Sequence, residues 1–171
     1  MIEEVMLYEK FFTTLNKSGL KYLVAGGIAV NLHGFARATG DLDILISLTD
    51  QEIGKFITAV KQLGLVPRLP VKMDDFADKT KRQEWINEKN MKVFSVYNPK
   101  NPMEHIDVMI DEVIDFDKAY ANRVTMKAKD LGIPVVGILD LIQMKKVAAR
   151  ARDLIDIKAL ERLIRIKNEK K

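Results

Sequence analysis

The sequence predicts an α/β (α+β) fold: a mixed central sheet with flanking helices, followed by further helices at the C-terminal end. Three observations predict it. Strand-length apolar runs rich in Val, Ile and Tyr alternate with longer segments whose apolar residues recur at helical spacing. Glycine, proline and asparagine punctuate them. From residue 138 onward only helical patterns remain. The chain has 171 residues, 47 % hydrophobic and 30 % charged, which excludes a wholly disordered or collagen-like polypeptide.

The elements follow in order. Residues 3–17 read as a helix, with Val5, Met6, Phe12 and Leu15 at helical spacing and Gly19 as a stop. Lys21 to Ala25 reads as a buried strand broken by Gly26-Gly27, and Ile28 to His33 as a short helix ended by Gly34. Leu42 to Leu48 is a second strand. Thr49 caps a helix over 50–63 that Gly64 ends. Residues 67–90 are the most polar stretch, with a short helix around Lys81–Asn87, and are expected to form a mobile lid carrying Trp85. Met91–Tyr97, Glu104–Ile110, Asn122–Lys127 and Ile133–Val136 read as strands, and 138–149 and 152–167 as helices. The expected division is a core over 1–137 and a C-terminal helical extension over 138–171 packed on it.

Composition excludes several chemistries. Cysteine is absent, so disulfides, thiolate metal sites and thiol nucleophiles are excluded. His33 and His105 are the two histidines, too few for a histidine-rich zinc site. The acidic start, Met1-Ile2-Glu3-Glu4-Val5, does not read as a signal peptide. The longest uncharged apolar stretch, Tyr22 to Phe35, is too short to span a bilayer, so a cytoplasmic protein without membrane contact is expected. The formal net charge is +4, unevenly spread: residues 141–171 carry +6 and the preceding 140 residues −2. That pattern is a nearly neutral body with a basic end.

The candidate chemistry lies in three aspartates. Asp41 and Asp43 open an apolar strand at spacing i, i+2, which places both carboxylates on one face, about 7 Å apart along the chain. Like charges so placed call for a cation, and Mg²⁺ or Mn²⁺ suits oxygen ligands. Asp107 lies inside the apolar run Ile106-Asp107-Val108-Met109-Ile110, where a lone carboxylate needs a reason to be. If its strand pairs beside the first, three carboxylates converge as in two-metal phosphoryl or nucleotidyl transfer. Gly26-Gly27, between a strand and a short helix, allows close approach of backbone N–H groups to phosphate. Thr39 and Arg37 lie in the loop leading to Asp41. Arg37 reads equally as a phosphate ligand and as an ion-pair partner that orients the aspartates. His33 reads as a core or capping residue.

Gly26-Gly27, Asp41-Leu42-Asp43 and Asp107 together resemble the nucleotidyltransferase superfamily that includes DNA polymerase beta. The form Gly-Gly-x-Ala, then His33-Gly34, then Arg37-x-Thr39-x-Asp41-Leu42-Asp43-Ile44 resembles its bacterial branch, with AbiEii-type toxins and lincosamide or aminoglycoside nucleotidyltransferases. Lys145, followed by Arg150-Ala151-Arg152-Asp153-Leu154-Ile155-Asp156, is similar to the same branch's C-terminal pattern. The resemblance implies a nucleotidyltransferase-like fold and transfer of a nucleoside monophosphate from an NTP to an acceptor hydroxyl. It implies Asp41, Asp43 and Asp107 as catalytic metal ligands for Mg²⁺ (or Mn²⁺), and Gly26, Gly27, Arg37, Thr39 and Lys145 as nucleotide-binding residues. Asp153 and Asp156 would orient the helix pair. Many superfamily members carry Ser where this chain has Gly27, so phosphate binding here rests on N–H groups and basic side chains. The acceptor stays open among a tRNA end, a small molecule and a protein side chain.

Two other function classes compete. One is a non-catalytic or partner-bound member of a toxin–antitoxin-type pair, expected to bind a partner protein. The other is an RNA-binding module acting through the basic C-terminal helices. No Phe, Tyr or Trp lies between Ala121 and Lys171, which argues against base stacking there.

Overall fold

A computed structural model describes residues 6–170. The first residues of the helix expected over 3–17, and Lys171, lie outside the described residues. Helix α1 spans Glu9–Ser18, β1 Tyr22–Ala25, α2 Gly26–His33, β2 Leu42–Ile46, α3 Asp50–Gln62 and β3 Val66–Pro67. A 3₁₀ turn over Met73–Ala77 leads into α4 Lys79–Lys89, then β4 Val93–Asn98, β5 Asn101–Met109, α5 Phe116–Ala121, β6 Val124–Ala128 and β7 Leu131–Val135. Helices α6 Ile138–Ala148 and α7 Ala151–Glu169 complete the chain.

The seven strands form one mixed sheet in the order β3-β4-β5-β2-β1-β7-β6. β2 runs antiparallel to β1 and parallel to β5. Because side chains alternate across a strand, the register decides which residues share a face. Tyr22, Val24, Leu42, Ile44, Phe94, Val96, Ile106 and Val108 fall on one face, and each is at most 1 % exposed. Aromatic packing covers that face. Phe12 stacks on Tyr22, Phe76 and Trp85 both stack on Phe94, and Phe56 meets Phe76 edge-on. The opposite face carries Ala25, Asp43, Ser95 and Asp107, and α2, α6 and α7 pack together at that side.

Helix ends follow local chemistry. Thr49 Oγ1 accepts from the Glu52 N–H and caps α3. Asp78 caps α4 by accepting from the N–H groups of Thr80 and Lys81, and Asp115 caps α5 by accepting from that of Lys118. His33 ends α2 as a core residue: it is 7 % exposed and its Nε2 lies 2.7 Å from the Val136 carbonyl. Burial lowers its pKa.

The structure departs from expectation in residues 67–90. They are no lid. Met73, Phe76, Arg82 and Trp85 are buried, and the Arg82 guanidinium donates to the Phe76 carbonyl at 2.6 Å. Two of these residues stack on Phe94, whose side chain faces away from the aspartates. Arg82 apart, the charged residues of the 3₁₀ turn and α4 lie on their outer faces. The structure also adds β3 and α5, which the sequence pattern did not suggest. Truncating the centre of this aromatic stack should be costly. Phe94→Ala is expected to lose about 3–5 kcal/mol, measured by urea unfolding with Trp85 fluorescence as the probe.

Candidate active site

The site is set by the parallel pairing of β2 with β5. That register places Leu42 beside Ile106, Asp43 beside Asp107 and Ile44 beside Val108. One step further along the same face, Asp41 meets His105, whose Nε2 lies 2.9 Å from Asp41 Oδ1. One donor atom from each of Asp41, His105 and Asp107 lies within 4.8 Å of the others. Ser95, opposite Asp107 on β4, donates its hydroxyl to Asp107 Oδ1 at 2.5 Å. Tyr8 lies beneath the group, and its hydroxyl is shared between the carbonyls of Gly40 and His105 at 3.2 and 3.1 Å.

The electrostatics are those of carboxylates forced together. Asp43 is pushed up to about 6, first by burial and then by the charges of Asp107 and Asp41, against the pull of Arg150 and Lys145. Tyr8 is pushed up to about 12 by burial and by Asp41. A divalent cation fits this donor set. It would supply positive charge beside Asp43, and the available atoms are carboxylate oxygens and one imidazole nitrogen.

Gly26 and Gly27 are required by close approach. Gly26 has φ +60°, and a Cβ there would overlap the Asp43 carboxylate. A Cβ on Gly27 would overlap the Thr39 hydroxyl and come within 3.1 Å of Arg37 Nη2. No side chain caps α2, which begins at Gly26 rather than at Ile28 as its sequence suggests. Its first N–H groups therefore open beside Asp43, Thr39 and Arg37, an arrangement suited to an anion.

A buried ion network flanks the carboxylates. Arg37 donates through Nε and Nη2 to the two oxygens of Asp156, both at 2.8 Å. Lys145 Nζ lies 2.7 Å from Asp156 Oδ2 and 3.2 Å from Asp153 Oδ1. Arg150 Nε bonds Asp153 Oδ2 at 2.8 Å, with its own side chain 76 % exposed. Burial pushes Asp153 up, but hydrogen bonds from Arg150 and Lys145 outweigh it and leave the net value lowered.

The structure thus brings Asp41, Asp43 and Asp107 together, with Gly26, Gly27, Thr39 and Arg37 along one flank. Lys145 reaches the same side from α6 but is 4 % exposed and engaged by both aspartates of α7. Arg37 pairs with Asp156 rather than with the strand aspartates. Two clefts adjoin the cluster. One of about 80 Å³ lies between Gly26, Asp43, Lys145 and Arg150. The other, of about 450 Å³, lies between Asp41, Arg68, Tyr97 and His105. Sequence reasoning missed His105, Ser95, Arg150 and Tyr8. His105 was within reach of it, because it precedes Asp107 by two residues and so shares its face.

Comparison with known proteins gives a family and a fold. The sequence matches, over residues 12–170, the family described as nucleotidyl transferase AbiEii toxin, type IV TA system. No curated protein matches it. Among solved structures, it is similar to a lincosamide antibiotic adenylyltransferase with lincomycin bound, at TM-score 0.59 and 14 % identity over 94 % of this chain and 96 % of that one. It is also similar to the antibiotic-resistance factor ANT(2'')-Ia in solution, at TM-score 0.58 and 12 % identity over 98 % and 92 % of the two chains. The complex of ANT(2'')-Ia with adenylyl-2''-tobramycin gives TM-score 0.56 and 11 % identity over 99 % of each chain. These likenesses are of fold.

Two outcomes follow from the electrostatics. The folded value of Asp43, about 6, lies above its ordinary 3.8, so the native state holds the extra proton. The linked stability is complete below about pH 4 and is lost as pH rises through about 6. Asn cannot ionise, so in cation-free buffer Asp43→Asn should match the parent near pH 4 and exceed it at pH 7.5. The gap should be about 3 kcal/mol in urea unfolding. Asp156→Ala should instead destabilise by about 3–5 kcal/mol, because it leaves Arg37 without its counter-charge and Lys145 with the longer contact to Asp153 alone.

Proposed function

We propose, from the premise that the chain belongs to the AbiEii nucleotidyl transferase family, that it moves a nucleoside monophosphate from an NTP to an acceptor hydroxyl. The convergence of Asp41, Asp43 and Asp107 on one sheet face, next to the open N-terminus of α2, carries this reading. The acceptor oxygen would form a bond to the α-phosphorus while the bond to the β-phosphate bridging oxygen breaks, releasing pyrophosphate.

The residues divide the work. Asp41, Asp43 and Asp107 would hold Mg²⁺ or Mn²⁺. When bound, such ions supply positive charge to the phosphoryl oxygens and lower the pKa of the attacking hydroxyl. The N–H groups of Gly26 and Gly27, the Thr39 hydroxyl and the Arg37 guanidinium surround the place for phosphate oxygens. Lys145 and Arg150 set a positive field beside Asp43, and Asp153 and Asp156 hold both helices at that distance. Asp107 receives the acceptor proton on the carboxylate oxygen that Ser95 leaves, and Ser95 keeps that carboxylate oriented.

Isothermal titration of the chain with each NTP in the presence of Mg²⁺ tests the reading. Micromolar to millimolar binding of at least one NTP is expected, and binding of none overturns it. Asp43→Asn should lower transfer of an α-labelled nucleotide roughly a thousandfold, a loss of several kcal/mol of charge stabilisation. Its fold should be intact by Trp85 fluorescence.

A second reading, compatible with the first, makes the chain one half of a toxin–antitoxin pair. The family description motivates it, as do Val147, Leu154 and Ile155, which stand 56 %, 55 % and 61 % exposed around the α6–α7 turn. Co-expression with the product of the adjoining gene should yield a stoichiometric complex that Ile155→Glu weakens. A chain that stays alone in that experiment rules this reading out.

A further inference from the structure

We propose that His105 is a nitrogen ligand of the divalent-cation site, and that it makes the site favour nitrogen-tolerant ions such as Mn²⁺ and Co²⁺ over Mg²⁺. This rests on the cation site of the proposed function and goes further, by naming a fourth donor and its consequence for the ion.

The placement follows from the sheet. His105 and Asp107 are two residues apart on β5 and share a face; Asp43 lies on β2, and Asp41 stands two residues before it, just ahead of the strand's first residue Leu42. Parallel pairing in register lays Asp43 beside Asp107, and the contact of His105 with Asp41 lies next to that pair. Three of the four side chains are thus placed by strand geometry, and Asp41 by the segment that leads directly into β2. His105 is half-buried, and its Nε2 already points into the carboxylate group, 2.9 Å from Asp41 Oδ1. One donor atom each from His105, Asp41 and Asp107 fits within 4.8 Å, a span that one cation can bridge.

The backbone holds the ring in place. The His105 carbonyl accepts from Tyr8, and its strand lies between β4 and β2 inside the sheet. At 2.9 Å from a carboxylate oxygen, Nε2 carries the hydrogen and donates to Asp41; the tautomer with its hydrogen on Nδ1 turns the same atom into a lone-pair donor for a cation. Mg²⁺ is a hard ion that keeps oxygen ligands and waters. Mn²⁺ and Co²⁺ stand higher in affinity for mixed nitrogen and oxygen sites. A histidine among the carboxylates therefore gains little with Mg²⁺ and more with those ions. The other histidine, His33, is committed to the Val136 carbonyl, so a nitrogen signal from imidazole has one source.

The full chain, stripped of cations and loaded with Mn²⁺ alone, provides the test. Pulsed EPR should show modulation from a coordinated imidazole ¹⁴N in the parent protein and none in His105→Gln. Calorimetric titration should show Mn²⁺ binding weakened about tenfold or more by His105→Gln, with Mg²⁺ binding changed less than about threefold. Unaltered Trp85 emission would establish that the variant folds. Absence of ¹⁴N modulation in the parent, its persistence in the variant, or equal weakening of both ions overturns the proposal. If NTP binding with Mg²⁺ persists in that case, the nucleotidyltransferase reading stands and only the role of His105 falls. If neither divalent ion nor NTP binds the parent, both fall.

Discussion

The parallel register between β2 and β5 is the constraint on which the rest of the structure depends. It sets Asp43 against Asp107, a pairing that charge alone would oppose. A slip of one residue would turn Asp107 toward the aromatic stack and Ile106 toward solvent. The apolar face prevents that slip. Leu42, Ile44, Ile106 and Val108 are each at most 1 % exposed, and burying such a side chain is worth about 1.5–3 kcal/mol. The rise of Asp43 to about 6 corresponds to a penalty on the order of a few kcal/mol at neutral pH. Four buried side chains outweigh one strained carboxylate. The core on one face therefore imposes the chemistry on the other.

The ion network solves a second problem, that of placing positive charge near the carboxylates without neutralising them. Were Lys145 or Arg37 free to swing, each would be drawn to Asp43 or Asp41. Instead Asp156 takes Arg37 bidentately and Lys145 as well, while Asp153 takes Lys145 and Arg150. Lys145 and Arg150 are held at a distance from which they still lower Asp43. Buried pairs of this kind rarely add stability over an apolar replacement. Their value here is positional: the network spans the loop before β2 and both C-terminal helices, so those three segments keep one arrangement.

Much of the fold was legible because its signals are local. Strand alternation, Gly19 and Gly34 as stops, and Thr49 as a cap all act within a few residues, and the corresponding elements appear with ends shifted by a few positions. The aspartates were legible because two carboxylates at spacing i, i+2 on an apolar strand must share one face. What the sequence hid is non-local. Val66–Pro67 becomes β3 only because β4 lies alongside it. Trp85 and Phe76 look like exposed residues of a polar segment until Phe94 supplies a surface for them. Lys145 resembles any helix lysine until Asp153 and Asp156 arrive from the next helix. The basic C-terminal end, which suggested a polyanion surface, is partly such internal pairing.

The Gly-Gly turn shows how local and distant constraints meet. Gly26 must be glycine twice over, for its positive φ and for the Asp43 carboxylate that fills the place of a side chain. Gly27 has an ordinary backbone, and only its neighbours restrict it. The Thr39 hydroxyl stands where a side-chain atom at 27 would go, with the Arg37 guanidinium just beyond. A serine at 27 would offer one hydroxyl at the start of α2, and this chain offers one there from the opposite wall. The substitution of Gly for Ser therefore does not leave the α2 terminus without a hydroxyl. It moves the donor to a loop that Asp156 anchors through Arg37, and so makes the start of α2 depend on the packing of α7.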